Sequence, residues 1–596
     1  MKAPLAIYLV YHSNYNDSEK VFSELYKLFC RDVRSSLSDG LDIPVYYSTD
    51  KNSYAVDFNR AYKTCVIICS DSNLVMDKDR MIRKIEEWCE LEDYENSIML
   101  CPVKLHKYAF DILPQRNQVQ CINLTRDNIL EDWLEFQTKI FDCLIRFIRG
   151  RNTKAKIFVS HSKRDKDQIG EKYAKEIVKY LTKETTLDAF FDIKDIVPGN
   201  RFDKQIEDGI KNALLIILYT NTYSDREWCR RELIAAKDNN VPTIVVLMTD
   251  GVVKRTFPYV GNIPSIAFNG EWREPINLLL RTALDEYHEE LLLNTIAEGD
   301  GTVYVIPCPP ELYNIRCLPN EKNKLLYPEP PLGQEELTIL RQVHKDVDFV
   351  TPMEYASANL QLLEKNIAIS ISDSEDSSTY GVGQEILDDL SIEISKYILK
   401  AGGKMIYGGD LRNSGFTELF ADLSFQYGIY EKTDSTVKYF KNFLAWPYHE
   451  KLDENTILEY DHNRVELIRV DQGIDDSDSL SKMRYEMENE AHARILIGGK
   501  MNDFAGSMPG VIEEFKIALN FGHPIYVIGG FGGAARYIAD VMSNKCEVKD
   551  RDNWMFGLSY ECLGNGLSDE ENNKLFTTQN IIEIVSLVLK GLKNVL

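Results

Sequence analysis

The chain has 596 residues, of which 44% are hydrophobic and 27% charged, a composition typical of globular proteins and a length sufficient for three or four domains. The formal net charge of −24 argues against a nucleic-acid or anionic-membrane partner, because either would require a basic face. Any anionic ligand must then be held by backbone N–H groups and a few Arg or Lys side chains.

No segment contains the ~20 consecutive apolar residues of a membrane span, so we expect no membrane partner. The N-terminal segment MKAPLAIYLVYH has a short, alternating apolar run without a cleavage-like ending, which predicts a strand and not a signal peptide. The twelve cysteines include no Cys-x-x-Cys pair and no metal-ligand spacing. We therefore expect reduced core thiols, no metal site and a cytoplasmic location.

Residues 1–150 alternate short β-rich runs with helical patterns and resemble, in weaker form, the pattern of residues 151–290. The matching pairs are Ile7–Ser13 with Ile157–Ser162, Val45–Tyr47 with Ala189–Phe191, Cys65–Cys69 with Leu214–Leu218, and Glu87–Cys89 with Glu227–Cys229. We interpret this as an internal duplication in which the first copy, residues 1–150, is degenerate.

Residues 151–290 alternate strands and helices more clearly. The predicted strands are Ala155–Ser160, Ala189–Phe191, Leu214–Tyr219 and Thr243–Met248, and the predicted helices are Gly170–Thr182, one ending at Ile210, and Glu227–Asp238. Such alternation predicts a parallel sheet covered by helices on both faces, with its ligand site at the carboxyl ends of the strands.

Residues 291–365 are interrupted by prolines and predict an ordered connector with short elements. A different α/β domain is predicted over residues 366–596. Its strands are Ile367–Ile371, Lys404–Tyr407, Arg494–Ile497 and Ile525–Ile528, and its first helix is Gln384–Lys400. The last three strands each run into a glycine pair, which would let a ligand approach the backbone closely.

One constellation in residues 151–290 points to a family. Trp228 and Glu232 are four residues apart and share a helix face. With the segments IFVSHSKRD and FFDIKDIVPGNRFDKQIEDGI, they resemble the TIR family, many members of which are NAD glycohydrolases that use a single glutamate in a Trp-x-x-x-Glu setting. The resemblance implies a flavodoxin-like fold, catalytic Glu232, and substrate-binding Phe158, Ser160, Asp192 and Trp228. It also implies that the loop Asp192–Phe202 mediates contacts between TIR domains.

The chemistry is consistent with one glutamate. Loss of nicotinamide from NAD places positive charge on the ribose carbon, and an adjacent carboxylate stabilises that charge. Nicotinamide is a good leaving group, so a second acid is dispensable, and NAD is a substrate with no cofactor expected. The alternative is that Trp228 is a core residue and Glu232 a solvated helix residue.

The first copy offers two conflicting counterparts of Glu232. The spacing Trp88-x-x-x-Glu92 reproduces the motif, whereas the distance to the next strand selects Glu86. The segment after Tyr47 is also several residues shorter than its counterpart. We therefore expect the first copy to be a non-catalytic partner.

Residues 366–596 resemble the SLOG superfamily, which includes phosphoribohydrolases and the sensor domains of antiphage effectors. The resemblance lies in Tyr407–Gly409, Gly415, Met483-Arg484, Gly498-Gly499 and Pro509–Glu514. It implies a Rossmann-like domain that binds a nucleotide signal through Gly408, Gly409, Arg412, Arg484, Gly498, Gly499, Gly510, Glu513 and Glu514. Residues Lys500–Ser507 interrupt the enzymes' glycine loop, and Tyr485 replaces their usual lysine, which favours binding over hydrolysis.

Together these resemblances predict an antiphage effector whose SLOG domain detects a nucleotide signal, such as a cyclic ADP-ribose-like molecule. The signal would switch on NAD cleavage by the TIR domain and self-association into an oligomer or filament. Two alternatives remain open. One is a non-enzymatic TIR scaffold, and the other is a SLOG domain that acts as a nucleoside-monophosphate phosphoribohydrolase.

Overall fold

The computed structural model divides into two compact units, one formed by Met1–Tyr62 with Met353–Leu596 and the other by Lys63–Pro352. The structure describes residues 2–33, 40–113, 120–150, 156–163, 165, 168–185, 187–190, 209–211, 213–249, 256–257, 260–316, 318–319, 321–357, 360–409, 411, 415–428, 437–462 and 465–596. The predicted loop Asp192–Phe202, with Asp192, and the candidate ligand Arg412 lie outside these residues.

The N-terminal segment of the first unit is a strand–helix–strand element. It consists of β1 (Ala3–Val10), α1 (Ser18–Phe29) and β2 (Val45–Ser48). The two strands pair in parallel, with Ile7 opposite Val45 and Val10 opposite Ser48. Every residue of β1 is buried, so the N terminus forms a strand as predicted.

The second unit begins with a parallel group of strands and their helices. These elements are β3 (Ala61–Ser70), α2 (Ser72–Met76), α3 (Lys78–Cys89), α4 (Tyr94–Ser97), β4 (Ile98–Lys104), β5 (Ile122–Asn123) and α5 (Trp133–Arg149). Strand β4 pairs in parallel with both β3 and β5. The predicted strand Cys65–Cys69 lies inside β3.

The same unit contains a second, five-stranded parallel sheet. Its elements are β6 (Lys156–His161), α6 (Ile169–Glu184), β7 (Asp188–Phe190), β8 (Ala213–Tyr219), α7 (Glu227–Asp238), β9 (Thr243–Leu247), β10 (Ser265–Ala267) and α8 (Arg273–Ile296). The strand order is β10-β9-β8-β6-β7 with every pair parallel. This is the flavodoxin-like order, so the predicted fold class is confirmed.

A small sheet with its own core follows α8. It contains β11 (Val303–Val305), α9 (Leu312–Ile315), β12 (Lys324–Leu326), α10 (Gln334–Val343) and β13 (Asp348–Val350). The three strands pair in parallel, and Tyr327, Leu337 and Phe349 belong to one buried cluster. The short predicted elements of the connector are therefore organised into a packed layer.

The remainder of the first unit is a six-stranded parallel sheet with helices. Its elements are α11 (Pro352–Ser357), β14 (Asn366–Ser372), α12 (Glu385–Lys400), β15 (Lys404–Gly408), α13 (Phe416–Tyr427), β16 (Phe440–Leu444), α14 (Glu454–His462), β17 (Val465–Arg469), α15 (Asp476–Glu490), β18 (Ala493–Gly498), α16 (Gly510–Phe521), β19 (Ile525–Ile528), α17 (Gly533–Met542), α18 (Asp569–Thr577) and α19 (Ile581–Val595).

The order of this sheet is β17-β16-β15-β14-β18-β19, with each pair parallel. The chain runs outward from β14 through β17 and then returns to the other side of β14 at β18. The carboxyl ends of β14 and β18 therefore flank the topological switch point, where open α/β sheets bind their ligands.

A buried cluster of charged and polar side chains in the first unit joins the end of α1 to α12. The Arg31 guanidinium contacts Asp389 at 2.8 Å and Glu393 at 2.6 Å, and its side chain is only 6% exposed. Tyr26 donates a hydrogen bond of 2.9 Å to the same Asp389 carboxylate. Burial raises the pKa of Asp389, and the adjacent Arg31 opposes that rise. The N-terminal segment therefore shares a buried polar interface with the C-terminal sheet.

Two further features concern membranes and metals. Among the described residues, no helix combines the length and apolar character that a membrane crossing needs. The same residues contain no group of three or more His, Cys, Asp or Glu side chains arranged to hold a metal ion.

Candidate functional site

Glu232 lies at the carboxyl edge of the five-stranded sheet, one turn into α7. The Ser160 hydroxyl, near the end of β6, donates a hydrogen bond of 2.5 Å to Glu232 Oε2. Ser160 is only 1% exposed, so its hydroxyl fixes the carboxylate from beneath. The structure thus brings together two residues that the sequence predicted for one site.

Tyr223 extends this hydrogen-bond chain and was not predicted from the sequence. Its hydroxyl lies 2.7 Å from Ser160 Oγ, and because Ser160 donates its single proton to Glu232, Tyr223 is the donor in this pair. Burial raises the pKa of Tyr223 well above its ordinary value, so the phenol keeps its proton. The resulting order is Tyr223 to Ser160 to Glu232.

Trp228 and Phe158 occupy different layers of this site. Trp228 is 44% exposed, and the Arg231 guanidinium lies 5.0 Å from its ring centroid. Phe158 is buried in the cluster that also contains Leu215 and Tyr223, so it packs below the polar chain. Trp228 is therefore the member of the predicted set that presents an aromatic surface to solvent, as a stacking residue requires.

A second polar network joins the loops that follow β6 and β8. Asp165 accepts hydrogen bonds from Thr220, at 2.9 Å, and from Thr222. The Thr222 and Ser162 hydroxyls lie 2.7 Å apart. The backbone N–H of Gly170 also donates to Asp165, at 3.1 Å. These contacts hold the two loops together at the rim, and sequence spacing alone did not identify them.

In residues 1–150, which the sequence predicted to be a first copy, the tryptophan is placed differently. Helix α3 ends at Cys89, so Trp88 is its penultimate residue and Glu92 lies beyond the helix. Trp88 is 4% exposed and points into the core, whereas Trp228 is half-exposed. The Trp-x-x-x-Glu spacing of this copy therefore does not produce a shared helix face. Glu86 lies on α3 and is exposed.

The second candidate site lies at the switch point of the six-stranded sheet. Ser372 at the end of β14 pairs with Gly498 at the end of β18. Gly498 and Gly499 have φ values of +59° and +102°, and a Cβ on Gly498 would lie 2.6 Å from the Ser372 carbonyl oxygen. Only glycine fits this turn, in which the Gly499 N–H donates a hydrogen bond of 2.9 Å to the Ser372 carbonyl and the Gly499 carbonyl accepts one of 2.8 Å from the Ala534 N–H.

Gly408 and Gly409 follow β15, the neighbouring strand. A Cβ on Gly408 would lie 2.9 Å from Met483 Cε. The Asn442 side-chain amide donates a hydrogen bond of 3.1 Å to the Gly409 carbonyl. The third pair, Gly529 and Gly530, approaches the Phe576 and Thr578 carbonyls instead. The close approach at that pair is made by the protein's own backbone.

Arg484 is surrounded by carboxylates. It contacts Glu513 directly and lies 3.6 Å from Glu514, and its side chain is 9% exposed. A Cβ on Gly510 would lie 2.7 Å from its guanidinium, so this glycine gives the arginine room at the start of α16. The predicted residues Arg484, Gly510, Glu513 and Glu514 are therefore adjacent, and the protein itself supplies the counter-charges of the arginine.

Behind this group lies a second arginine that the sequence analysis did not select. Arg494 is fully buried and contacts Glu488 at 2.5 Å, Glu514 at 2.8 Å and Ser370 at 2.6 Å. His523 lies 2.7 Å from the other oxygen of Glu488. A continuous ionic network thus supports the start of α16 from below. The sequence predicted Arg494 as the first residue of a strand, but no spacing in the sequence indicates the carboxylates that it contacts.

Comparisons with known families agree with this architecture. The family model described as TIR domain matches residues 157–280, and the model described as SLOG cluster2 matches residues 361–476 and 469–594. No curated protein matches the chain. An X-ray structure of TM1055, a structural genomics target, is 18% identical over 31% of this chain and 87% of that chain, with a TM-score of 0.20 that supports no further argument. The chain thus combines a TIR domain with a SLOG domain that follows it.

Proposed function

We propose that the TIR domain cleaves NAD to nicotinamide and ADP-ribose, or to a cyclic form, with Glu232 as the catalytic residue. The observation that carries the proposal is the Glu232 carboxylate, held by Ser160 at the carboxyl edge of the sheet and one turn from the half-exposed Trp228. A carboxylate fixed at a sheet edge can stabilise positive charge on a bound ribose without first reorganising.

The mechanism follows from these positions. NAD binds with its nicotinamide ribose beside Glu232, and the Trp228 ring offers a surface on which a ring of the substrate stacks. As the glycosidic bond to nicotinamide breaks, the Glu232 carboxylate faces the cationic ribose carbon, and its bond from Ser160 keeps it oriented. Water or a group of the substrate itself then captures that carbon.

We further propose that the SLOG domain controls this activity by binding a nucleotide signal of the cyclic ADP-ribose class, in a cytoplasmic defence effector that works as an oligomer. Support comes from the glycine turn at the switch point, which packs against the N terminus of α17. A signal can act only through different affinities for the resting and active forms, so SLOG variants should alter activation and leave the chemistry unchanged.

The test is product analysis. The purified full chain is incubated with NAD and a panel of cyclic nucleotides, and the products are separated by chromatography. Signal-dependent release of nicotinamide supports the proposal. Release of base from nucleoside monophosphates by the same protein would favour a SLOG phosphoribohydrolase instead, and absence of either product would favour a scaffold.

Tyr223→Phe should lower kcat for NAD cleavage about 3–10-fold while changing KM little, because the loss of one neutral hydrogen bond of about 1 kcal/mol loosens Ser160 and with it Glu232. The matched control is Tyr219→Phe, since the Tyr219 ring lies 5.3 Å from that of Tyr223 and its hydroxyl has no partner among the described residues. Equal losses in both variants would point to a packing effect and not to positioning.

Replacing both Glu86 and Glu92 by Gln should leave most NAD cleavage intact, because Glu92 lies beyond the end of α3 and the Trp88 side chain is buried. Steady-state rates of nicotinamide release at saturating NAD provide the measurement. A loss as deep as that of Glu232→Gln would instead show that the first copy contributes a catalytic group.

A further inference from the structure

A carboxylate of the protein occupies the N terminus of α17. The backbone N–H of Gly533, the first residue of this ten-residue helix, donates a hydrogen bond of 2.7 Å to Asp376 Oδ1. Asp376 belongs to the loop 373–383, which directly follows β14 at the switch point. Because helix N-termini carry partial positive charge and unpaired N–H groups, this position favours an anion.

A buried hydroxyl beside this helix terminus has no partner. Ser374 is 5% exposed, and its Oγ makes no hydrogen bond to any described residue. A Cβ added to either Gly498 or Gly533 would lie 2.8 Å from this Oγ, which places the hydroxyl between the glycine turn and α17. A buried, unsatisfied hydroxyl is unfavourable, and an oxygen of a ligand would satisfy it.

One cationic side chain of α17 lies against the loop that carries Asp376. The Arg536 guanidinium lies 5.3 Å from the ring centroid of Tyr380, a residue of the loop 373–383, and its Nε contacts Asp540 at 2.9 Å. Lys500 directly follows the glycine turn and is exposed. The Arg536 charge is thus paired with Asp540, and the case for an anion rests on the helix N terminus and the Ser374 hydroxyl.

We propose that the Ser374 hydroxyl and the Gly533 N–H, beside the Gly498-Gly499 turn, form a subsite for a phosphoryl group of the signal nucleotide, and that Asp376 occupies it in the resting form. The inference rests on the proposed nucleotide-sensing role of the SLOG domain and adds the place of the phosphoryl group and its internal competitor. Binding exchanges one anion for another at the same N–H group, so the loop 373–383 must move when the signal binds.

The other side of that loop contacts the N-terminal segment of the same unit. The Tyr47 N–H in β2 donates a hydrogen bond of 3.0 Å to the Gly381 carbonyl. The Gln579 side chain donates a hydrogen bond of 3.3 Å to the Tyr380 carbonyl. The Tyr46 hydroxyl donates a hydrogen bond of 3.3 Å to the Gln579 carbonyl. Displacement of Asp376 therefore loosens the hold of the loop on β2, which gives the degenerate first copy a role in transmitting the signal.

The experiment is isothermal titration of the full chain with ADP-ribose, with inorganic phosphate and with adenosine as the phosphate-free arm. All variants carry Glu232→Gln so that the measurement reports binding alone. Asp376→Asn removes the competing charge but keeps an acceptor for Gly533, and it should raise affinity for ADP-ribose and phosphate about tenfold. Ser374→Ala should lower the affinities for ADP-ribose and for phosphate about tenfold. Neither substitution should change the affinity for adenosine.

Glu375→Gln is the matched control, because Glu375 is the neighbouring acid of the same loop and accepts a hydrogen bond of 2.8 Å from Asn502, whereas the Gly533 N–H donates to Asp376. The affinities of this variant for ADP-ribose and for phosphate should stay within twofold of those of the parent protein. Equal affinities in Asp376→Asn and Glu375→Gln would overturn the proposal. Failure of every variant to bind either phosphate-containing probe would overturn it as well.

Hydrogen exchange tests the transmission step separately. The Tyr47 amide should exchange faster when ADP-ribose binds, and also in unliganded Asp376→Asn. An unchanged Tyr47 amide alongside increased affinity would refute transmission through β2 and retain the subsite. Absence of NAD cleavage would defeat the proposed TIR activity without affecting any of these binding results, so the two failures can be told apart.

Discussion

Glu232→Gln should reduce NAD cleavage at least ~10²-fold while leaving the fold unchanged, because it removes one preorganised charge at the reacting centre. The glutamine carbonyl can still accept the hydrogen bond that Ser160 donates to Glu232 Oε2, so the local packing is retained. What is lost is the negative charge that faces the developing cation on the ribose. The rate of nicotinamide release at saturating signal measures this loss.

The matched control is Glu227→Gln on the same helix. Glu227 is exposed and pairs with Arg231 at 2.6 Å, so its substitution removes an equal charge about one turn away from the site. That variant should retain nearly full activity. If Glu232→Gln cleaves NAD within a few fold of the wild type, Glu232 is not the catalytic residue.

Arg494→Met should be the most destabilising single change in the SLOG domain, lowering its free energy of unfolding by about 3–5 kcal/mol. The substitution leaves the carboxylates of Glu488 and Glu514 buried together without the cation that contacts both. Methionine fills much of the volume, so the loss reflects charge more than a cavity. The SLOG transition in urea denaturation, followed by circular dichroism, reports the change.

The control for this prediction is Lys574→Met. Lys574 pairs with Glu570 at 3.1 Å, but both side chains are more than half exposed. Solvent screens such a pair, so its removal should leave the denaturation midpoint unchanged. A similar shift in both variants would mean that the buried network contributes no more than an exposed ion pair.

Much of the fold could be predicted because each element carries its own periodicity. Helix α7 begins and ends at the predicted residues, β8 and β9 differ from prediction by one residue at one end, and β6 is shifted by one residue at both ends. The proximity of Ser160 to Glu232 also followed, since the ends of parallel strands and the helices after them meet at one edge of a sheet.

Other features depend on contacts between residues distant in sequence, which periodicity does not encode. Arg31 contacts Asp389 and Glu393, which lie hundreds of positions away, and no pattern within the first 150 residues indicates these contacts. Tyr223 was missed because an isolated tyrosine in a turn has no diagnostic spacing. Arg494 was missed because a buried arginine inside an apolar strand is identified only by the carboxylates around it.

The structure also refines the role expected of Arg484. As an isolated cation it would be a direct partner for a phosphate, but here it contacts Glu513 and Glu514 at the start of α16. An anion at this place would have to compete with two carboxylates. At the N terminus of α17 the competitor is a single carboxylate, that of Asp376, which accepts a hydrogen bond from the Gly533 N–H.

The most direct test of the account is the rate of nicotinamide release by the purified full chain, measured with and without a cyclic ADP-ribose-like nucleotide while light scattering records the molar mass. We expect negligible cleavage by the monomer alone, and strong cleavage together with larger species once the signal is added. Cleavage of NAD at full rate by a monomer, without any added nucleotide, would contradict the sensor–effector account.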